Sequence, residues 1–156
     1  MWTIRRSSNS RRLVIGCGRS YLDHAHMHEG CDLLDAEEEV DPDILANMWD
    51  APGFAAARLT QRYSAILCEF LPGFVYNRRV FYENLDFLRA PGTPIIFLSV
   101  APSYLDEVVH HCAEMGWRSR ICDFDEVPLY LFGTEALAER TYSAAGNSPT
   151  PSVWVM

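Results

Sequence analysis

The feature that most constrains the fold is a short apolar run that ends in two glycines. Arg12-Leu13-Val14-Ile15 is followed at once by Gly16-Cys17-Gly18. A run of three large aliphatic side chains predicts a buried strand, and two glycines one residue apart predict a tight turn directly after it. Glycine also lets backbone N–H groups approach a ligand without an intervening Cβ. The run therefore predicts a first strand with a ligand-binding loop at its carboxyl end.

The rest of the chain alternates apolar runs with segments of helical period, which is typical of layered α/β domains. Two late strands joined by a short acidic turn predict an antiparallel hairpin. We therefore expect an α/β sandwich of three layers, with a mostly parallel sheet that ends in an antiparallel hairpin. The predicted helices are Ala55–Arg62, Arg79–Leu88 and a segment from Pro102 to Gly116, and the further predicted strands are Cys31–Asp35, Asp43–Ala46, Tyr63–Cys68, Pro94–Val100, Arg118–Asp123 and Val127–Phe132.

The length of 156 residues suits a single domain. We expect an N-terminal basic arm over residues 1–11, a folded domain over 12–135 and a C-terminal tail over 136–156. The tail is rich in small, polar and proline residues, but it ends in the apolar patch Ser152–Met156. Docking of this patch on the domain and docking on a neighbouring molecule both stay open.

Composition limits the classes of function. The net charge of −8 repels the phosphates of nucleic acids, so a nucleic-acid partner is disfavoured. No apolar run reaches the roughly 20 residues of a membrane-spanning helix, and no secretory signal is present, so we expect a cytoplasmic protein. Five cysteines without a C-x-x-C pair predict neither a disulfide framework nor a thiolate zinc site.

Several segments resemble, in their order and spacing, the class I S-adenosylmethionine (SAM)-dependent methyltransferase family. Leu13–Arg19 looks like the family's first motif, and Tyr63–Glu69 is similar to its fourth-strand segment. Phe87–Ile96 resembles the helix, Pro-Gly turn and fifth strand, and Glu114–Trp117 resembles the passage into the sixth strand. The resemblance runs from about Arg12 to Thr134. It implies a Rossmann-like fold, SAM as cofactor and methyltransferase activity.

The resemblance also implies which residues bind the cofactor. Gly16, Cys17 and Gly18 would cradle SAM. Asp35, nineteen positions after Gly16, would accept hydrogen bonds from the ribose hydroxyls, with Asp32 as the fallback. In the segment that would hold adenine, Trp49 would supply an apolar face and Asp50 would accept from the exocyclic amine.

Glu69 is the catalytic residue that we predict, because it follows the fourth strand, where the family places residues that face the reacting methyl group. The amino-methylating branch carries an Asn/Asp-Pro-Pro-aromatic motif there, whereas this chain has Cys68-Glu69-Phe70-Leu71-Pro72. We therefore expect a small-molecule or protein substrate rather than a nucleic acid.

Two other interpretations stay open. Ser20 stands where the family usually has a third glycine, which favours a methyltransferase-like binding or assembly protein without catalysis. A second copy or another subunit could complete the pocket of such a protein. A nucleotide-dependent oxidoreductase would share the glycine loop, but the Pro-Gly turn and the closing hairpin fit the methyltransferase pattern better.

His24, His26 and His28 invite a metal-site interpretation, because alternate side chains on a strand face the same way. The two remaining histidines, His110 and His111, fall on a predicted helix surface. We therefore favour a histidine-rich surface loop and predict no metal. The same segment, between Gly18 and Asp32, should hold the first crossover helix but has little apolar periodicity.

Overall fold

The computed structural model describes residues 2–6, 10–16, 30–50, 62–69, 71–98, 100–123, 126–128, 132 and 151–156. In this part of the chain, eight strands form one sheet, and helical segments connect several of them. The strands are β1 (Thr3–Ile4), β2 (Arg12–Ile15), β3 (Asp32–Asp35), β4 (Ile44–Leu45), β5 (Ala65–Glu69), β6 (Ile95–Leu98), β7 (Ser119–Cys122) and β8 (Ser152–Val155). The helices are α1 (Arg79–Leu88) and α2 (Leu105–Glu114), with 3₁₀ turns at Glu38–Val40, Gly73–Asn77 and Pro102–Tyr104.

The sheet has the strand order β1-β4-β3-β2-β5-β6-β8-β7. Strands β4, β3, β2, β5 and β6 are mutually parallel, while β1 lies antiparallel on one edge and β8 lies antiparallel between β6 and β7. The predicted fold class is confirmed. Because the chain order reverses at β2, the crevice beyond the carboxyl end of β2 is where a sheet of this kind binds ligands.

The central strands are buried on both faces, as their continuous apolar runs predict. On one face, Leu13, Ile66 and Phe97 pack against the apolar side of α1. On the other face, Val14 and Leu67 pack in a second cluster. Helix α1 has the bounds that the sequence predicts, because Phe81, Leu85 and Leu88 recur at helical spacing and are all fully buried.

The antiparallel partner of β7 differs from the one predicted. Val127–Phe132 was expected to pair with it, but the partner is β8, whose Val153 lies between Phe97 of β6 and Ile121 of β7. Val127 and Phe132 instead pack against the sheet as part of its second core cluster. The reason is burial: a strand between β6 and β7 is covered on both sides and both faces, and Val153 and Val155 are fully buried there. Ser152–Val155, which lies in the segment predicted as a tail, is therefore a strand of the sheet.

The N-terminal basic segment also contributes a short strand, β1 (Thr3–Ile4), to the sheet. Thr3 and Ile4 pair with β4, and the chain then continues into an ion-pair network. Arg6 Nε donates to Asp43 Oδ1 at 2.9 Å, and Arg5 lies 3.3 Å from Asp41 Oδ1. Part of the segment predicted as a basic arm is therefore an edge strand.

Within the described residues, neither helix has the length and apolar character needed to cross a membrane. The predicted helix Ala55–Arg62 and the expected crossover segment after Gly18 fall almost entirely outside those residues.

Val153→Ala should lower the free energy of unfolding by about 2 kcal/mol, because it removes two fully buried methyl groups from a strand paired on both sides. The matched control is Met156→Ala, since Met156 is 54% exposed just beyond the same strand; it should change stability by under about 0.5 kcal/mol. Urea denaturation followed by circular dichroism measures both. Equal, small effects would contradict the placement of β8 inside the sheet.

Candidate functional site

A cavity of about 460 Å³ opens at the carboxyl edge of the sheet, beside the end of β2. Its walls come from the ends of β2, β3 and β4 and from the segment after β5. This is the edge at which the reversal of strand order leaves a crevice. The described residues that line it are Ile15, Gly16, Leu34, Asp35, Ala36, Glu37, Ala46, Met48, Trp49, Leu71, Pro72 and Phe74.

Gly16 lies where β2 ends, and only glycine fits there. Its φ is +76°, a conformation that side chains disfavour. A Cβ at this position would lie 2.9 Å from the carbonyl oxygen of Glu69 and would overlap the side chain of Leu71. The Gly16 N–H donates to the Leu34 carbonyl at 2.9 Å, so it is engaged within the sheet. Gly16 is one of the residues that line the cavity, and its own amide is not available to a ligand. Cys17 and Gly18 lie outside the described residues.

Two carboxylates form the acidic wall of the cavity. Asp35 ends β3, and its Oδ1 accepts a hydrogen bond from the Glu37 N–H at 3.1 Å. Its backbone carbonyl accepts from the Ala46 N–H at 2.9 Å, which ties the end of β3 to the segment after β4. Glu37 also lines the cavity and was not predicted from the sequence. Carboxylates at this position can accept hydrogen bonds from hydroxyl groups and attract a cationic ligand.

An apolar wall faces the carboxylates. Trp49 meets Phe74 edge to face, with ring centroids 5.5 Å apart. The Trp49 N–H donates to Asn47 Oδ1 at 3.1 Å, and the side-chain amide of Asn84 on α1 donates to the Met48 carbonyl at 2.8 Å. These bonds fix the loop that carries Met48 and Trp49. Trp49 was predicted, whereas Met48 and Phe74 were not.

The two other predicted aspartates differ in where they lie relative to the cavity. Asp50 is exposed and is not among the described residues that line the cavity. Asp32 begins β3, so it lies at the opposite edge of the sheet, and its buried Oδ2 accepts a hydrogen bond from Tyr63 Oη at 2.6 Å. Burial, followed by this bond, raises the pKa of Tyr63, so the phenol stays protonated as the donor. Asp32 therefore has a structural partner and does not serve as the fallback ribose ligand.

Glu69 ends β5 and its side chain is fully buried. By the alternation of side chains along a strand, it shares the face of Leu67 rather than that of Cys68. It is not among the described residues that line the cavity. Glu69 contributes to the site through its carbonyl oxygen, which limits the room beside Gly16.

The histidine cluster His24, His26 and His28 lies outside the described residues. Within the residues that the structure does describe, no three His, Cys, Asp or Glu side chains converge in a way that could hold a metal ion.

No protein-family model matches the chain, and no curated protein matches it in sequence. Solved structures match it in fold. The plantazolicin methyltransferase BamL, in complex with S-adenosylhomocysteine (SAH) and a triazolic desmethylPZN analog, has a TM-score of 0.54 and 10% identity over 92% of this chain and 75% of its own.

Two further solved structures match the chain in fold. Fibrillarin from Aeropyrum pernix, with natively bound SAM, has a TM-score of 0.52 and 11% identity over 96% of this chain and 67% of its own. The N-methyltransferase NodS from Bradyrhizobium japonicum has a TM-score of 0.51 and 11% identity over 94% of this chain and 83% of its own. The chain has the class I methyltransferase fold. At these identities the similarity defines the architecture alone, and the chain spans only part of the length of each structure.

Gly16→Ala should destabilise the protein more than Gly116→Ala, which is its matched control. Both glycines have φ near +75°, but a Cβ at Gly116 would meet nothing within 4 Å. We expect a loss of about 1 kcal/mol for Gly116→Ala from the backbone conformation alone. The loss for Gly16→Ala should be about 2 kcal/mol larger, because the Glu69 carbonyl must also move. Chemical denaturation of both variants measures the difference, and equal losses would show that the end of β5 is not packed against Gly16.

Proposed function

We propose that this chain binds SAM in the carboxyl-edge cavity and acts as a SAM-dependent methyltransferase on a small-molecule or protein substrate. The observation that carries the proposal is that Asp35 and Gly16 line one cavity, at the edge of the sheet where the strand order reverses. The shared architecture with solved SAM and SAH complexes supports it.

The cavity fits a nucleoside with a cationic group. Its volume of about 460 Å³ lies within the roughly 300–1,000 Å³ range of small-molecule sites. The apolar wall around Trp49 and Met48 suits the adenine ring. Asp35 and Glu37 would accept hydrogen bonds from the ribose hydroxyls, and their negative charge favours the sulfonium. A nicotinamide dinucleotide would also offer ribose hydroxyls to Asp35, so the antiparallel β8 beside β6, rather than these carboxylates, disfavours the oxidoreductase alternative.

The remaining assignments extend the same proposal. Gly16 would let the methionine part of the cofactor lie close to the backbone, and Cys17 and Gly18 would continue that contact. Asp50 follows Trp49 directly and would accept from the adenine amine. Glu37 is an addition that the cavity wall suggests.

When bound, SAM supplies a methyl group on a positively charged sulfur, which is already an activated leaving group. The chain's own residues then act chiefly by holding the two reactants in line and by excluding water. Glu69 remains the predicted catalytic residue. The proposed transfer depends less on that side chain than on the cavity wall, because positioning carries most of the acceleration.

Charge also shapes the proposed substrate. The chain carries a net charge of −8, and the described cavity wall adds two carboxylates and no cation. Binding of a phosphate backbone to such a surface is disfavoured. We therefore propose an acceptor that is not a nucleic acid, completed where necessary by a second copy or a partner subunit.

Asp35→Asn should weaken SAM binding by about tenfold or more in calorimetric titration, because it replaces a charged acceptor of ribose hydrogen bonds. Glu38→Gln is the matched control, since Glu38 is exposed and is not among the described cavity residues. It neutralises a nearby carboxylate and should change the affinity by less than about twofold. Equal losses of affinity in the two variants would show that the effect comes from the overall negative charge and not from Asp35. If the unmodified chain does not bind SAM at millimolar concentration, the proposal that SAM is its cofactor is wrong.

The burial of Glu69 favours a second candidate, a methyltransferase-like binding or assembly protein that does not catalyse transfer. Incubation with methyl-labelled SAM and fractionated extract of the source cells separates the two candidates. Label in a small molecule or protein, together with SAH release, supports the enzyme. SAM binding without transfer to any fraction supports the binding protein.

A further inference from the structure

A second cavity, of about 330 Å³, lies at the opposite edge of the sheet. Its wall combines residues that precede β5 and β6 with residues at the end of α1 and after α2. The backbones of Tyr63 and Arg89 form an isolated parallel β-bridge at the amino end of β5. The described residues of this amino-edge cavity are Arg62, Asp86, Arg89, Pro91, Gly92, Met115 and Trp117.

Arg89 is the unusual group in this cavity. The residue is only 8% exposed, and its guanidinium carbon lies 5.1 Å from the centre of the Trp117 ring. Within the described part of the chain, its side chain has no hydrogen-bond acceptor or salt-bridge partner. Burial lowers the pKa of Arg89, and the nearby charge of Asp86 opposes that shift. A buried cation is costly unless its N–H groups find acceptors. Arg89 lines the cavity, so an anion bound there would give its N–H groups acceptors.

Arg62 supplies a second guanidinium to the same wall. Its guanidinium carbon lies 5.7 Å from the centre of the Phe87 ring, so an aromatic ring holds each of the two cations. A guanidinium held against the face of a ring keeps N–H groups at its edge available to an acceptor. Such edges match the oxygen pairs of phosphate and carboxylate groups.

The net charge of this cavity wall is opposite in sign to that of the whole protein. Two arginines and one aspartate give its wall a net charge of +1, in a chain whose net charge is −8. The Asp86 carboxylate accepts a hydrogen bond from the Trp117 indole N–H at 3.3 Å, so it is directed toward the ring as well as toward Arg89. At Gly92 the space is open, since a Cβ there would meet nothing within 4 Å.

We propose that the amino-edge cavity binds a small phosphate dianion, either inorganic phosphate or the phosphate group of a phosphomonoester. Arg62 and Arg89 would donate to its oxygens, with Trp117 and Phe87 holding the two guanidinium groups in place. Two cations suit a dianion better than a single carboxylate. The site is separate from the proposed SAM cavity and does not depend on it.

The test is calorimetric titration of the full chain with inorganic phosphate and with glycerol 3-phosphate, in a phosphate-free buffer of fixed ionic strength. Saturable binding is expected, weakened about tenfold in Arg62→Gln because one charged donor is lost. Arg62 is exposed, so this variant should fold. Arg79→Gln is the matched control: Arg79 is an exposed arginine at the start of α1, paired with Glu83, and its loss should leave the phosphate affinity unchanged.

Asp86→Asn gives a result that a purely structural role for these residues would not produce. Removal of the opposing carboxylate should strengthen phosphate binding several-fold. Tighter binding of glycerol 3-phosphate identifies a phosphomonoester as the ligand, and tighter binding of phosphate identifies the free ion. Absence of saturable binding, or affinities that do not change in Arg62→Gln and Asp86→Asn, would overturn the proposal. SAM titration is a separate readout, so failure of either site is distinguishable.

Discussion

The close approach of Gly16 to the end of β5 is the contact on which the carboxyl edge of the sheet depends. The Gly16 N–H is bonded to Leu34 of β3, while its Cα faces the Glu69 carbonyl and the Leu71 side chain. Three neighbouring strands therefore end at one point, and no side chain can be placed there. This arrangement brings Asp35 from one side and Leu71 from the other to a common cavity. A larger residue at position 16 would push the Glu69 carbonyl and the Leu71 side chain away from β2 and so widen the cavity.

The sequence predicted the parts of the fold that are encoded locally. Strands β2 and β6 are apolar on both faces, and α1 carries buried residues at i, i+4 and i+7. Each of these elements can therefore be recognised from a short stretch of sequence. Strand β8 cannot be recognised locally, because Ser152–Val155 pairs with β7 across about 30 intervening residues and follows a segment rich in Ser and Pro. A local rule favours the nearby Val127–Phe132 as the partner. The burial gained between β6 and β7 overrides it.

The same division applies to the candidate site. Gly16, Asp35 and Trp49 were assigned from the resemblance, and all three line the cavity, where the ends of parallel strands share one edge. Glu37, Met48 and Phe74 were missed because turns and 3₁₀ segments bring them to the cavity, and such paths depend on distant contacts such as the bond from Asn84 to Met48. The direction of the Glu69 side chain, however, follows from the sequence of β5 alone. Ala65, Leu67 and Glu69 must share one face of β5, opposite to Ile66 and Cys68.

The two cavities lie at opposite edges of the sheet and carry opposite charge, yet one helix contributes to both. Asn84 of α1 holds the Met48 carbonyl at the carboxyl edge, while Asp86 and the terminal Arg89 line the amino edge. These residues are separated by less than two turns of a rigid helix. Any energetic coupling between the two cavities has a short physical route through α1. By linkage, such coupling would alter the two binding affinities by the same factor.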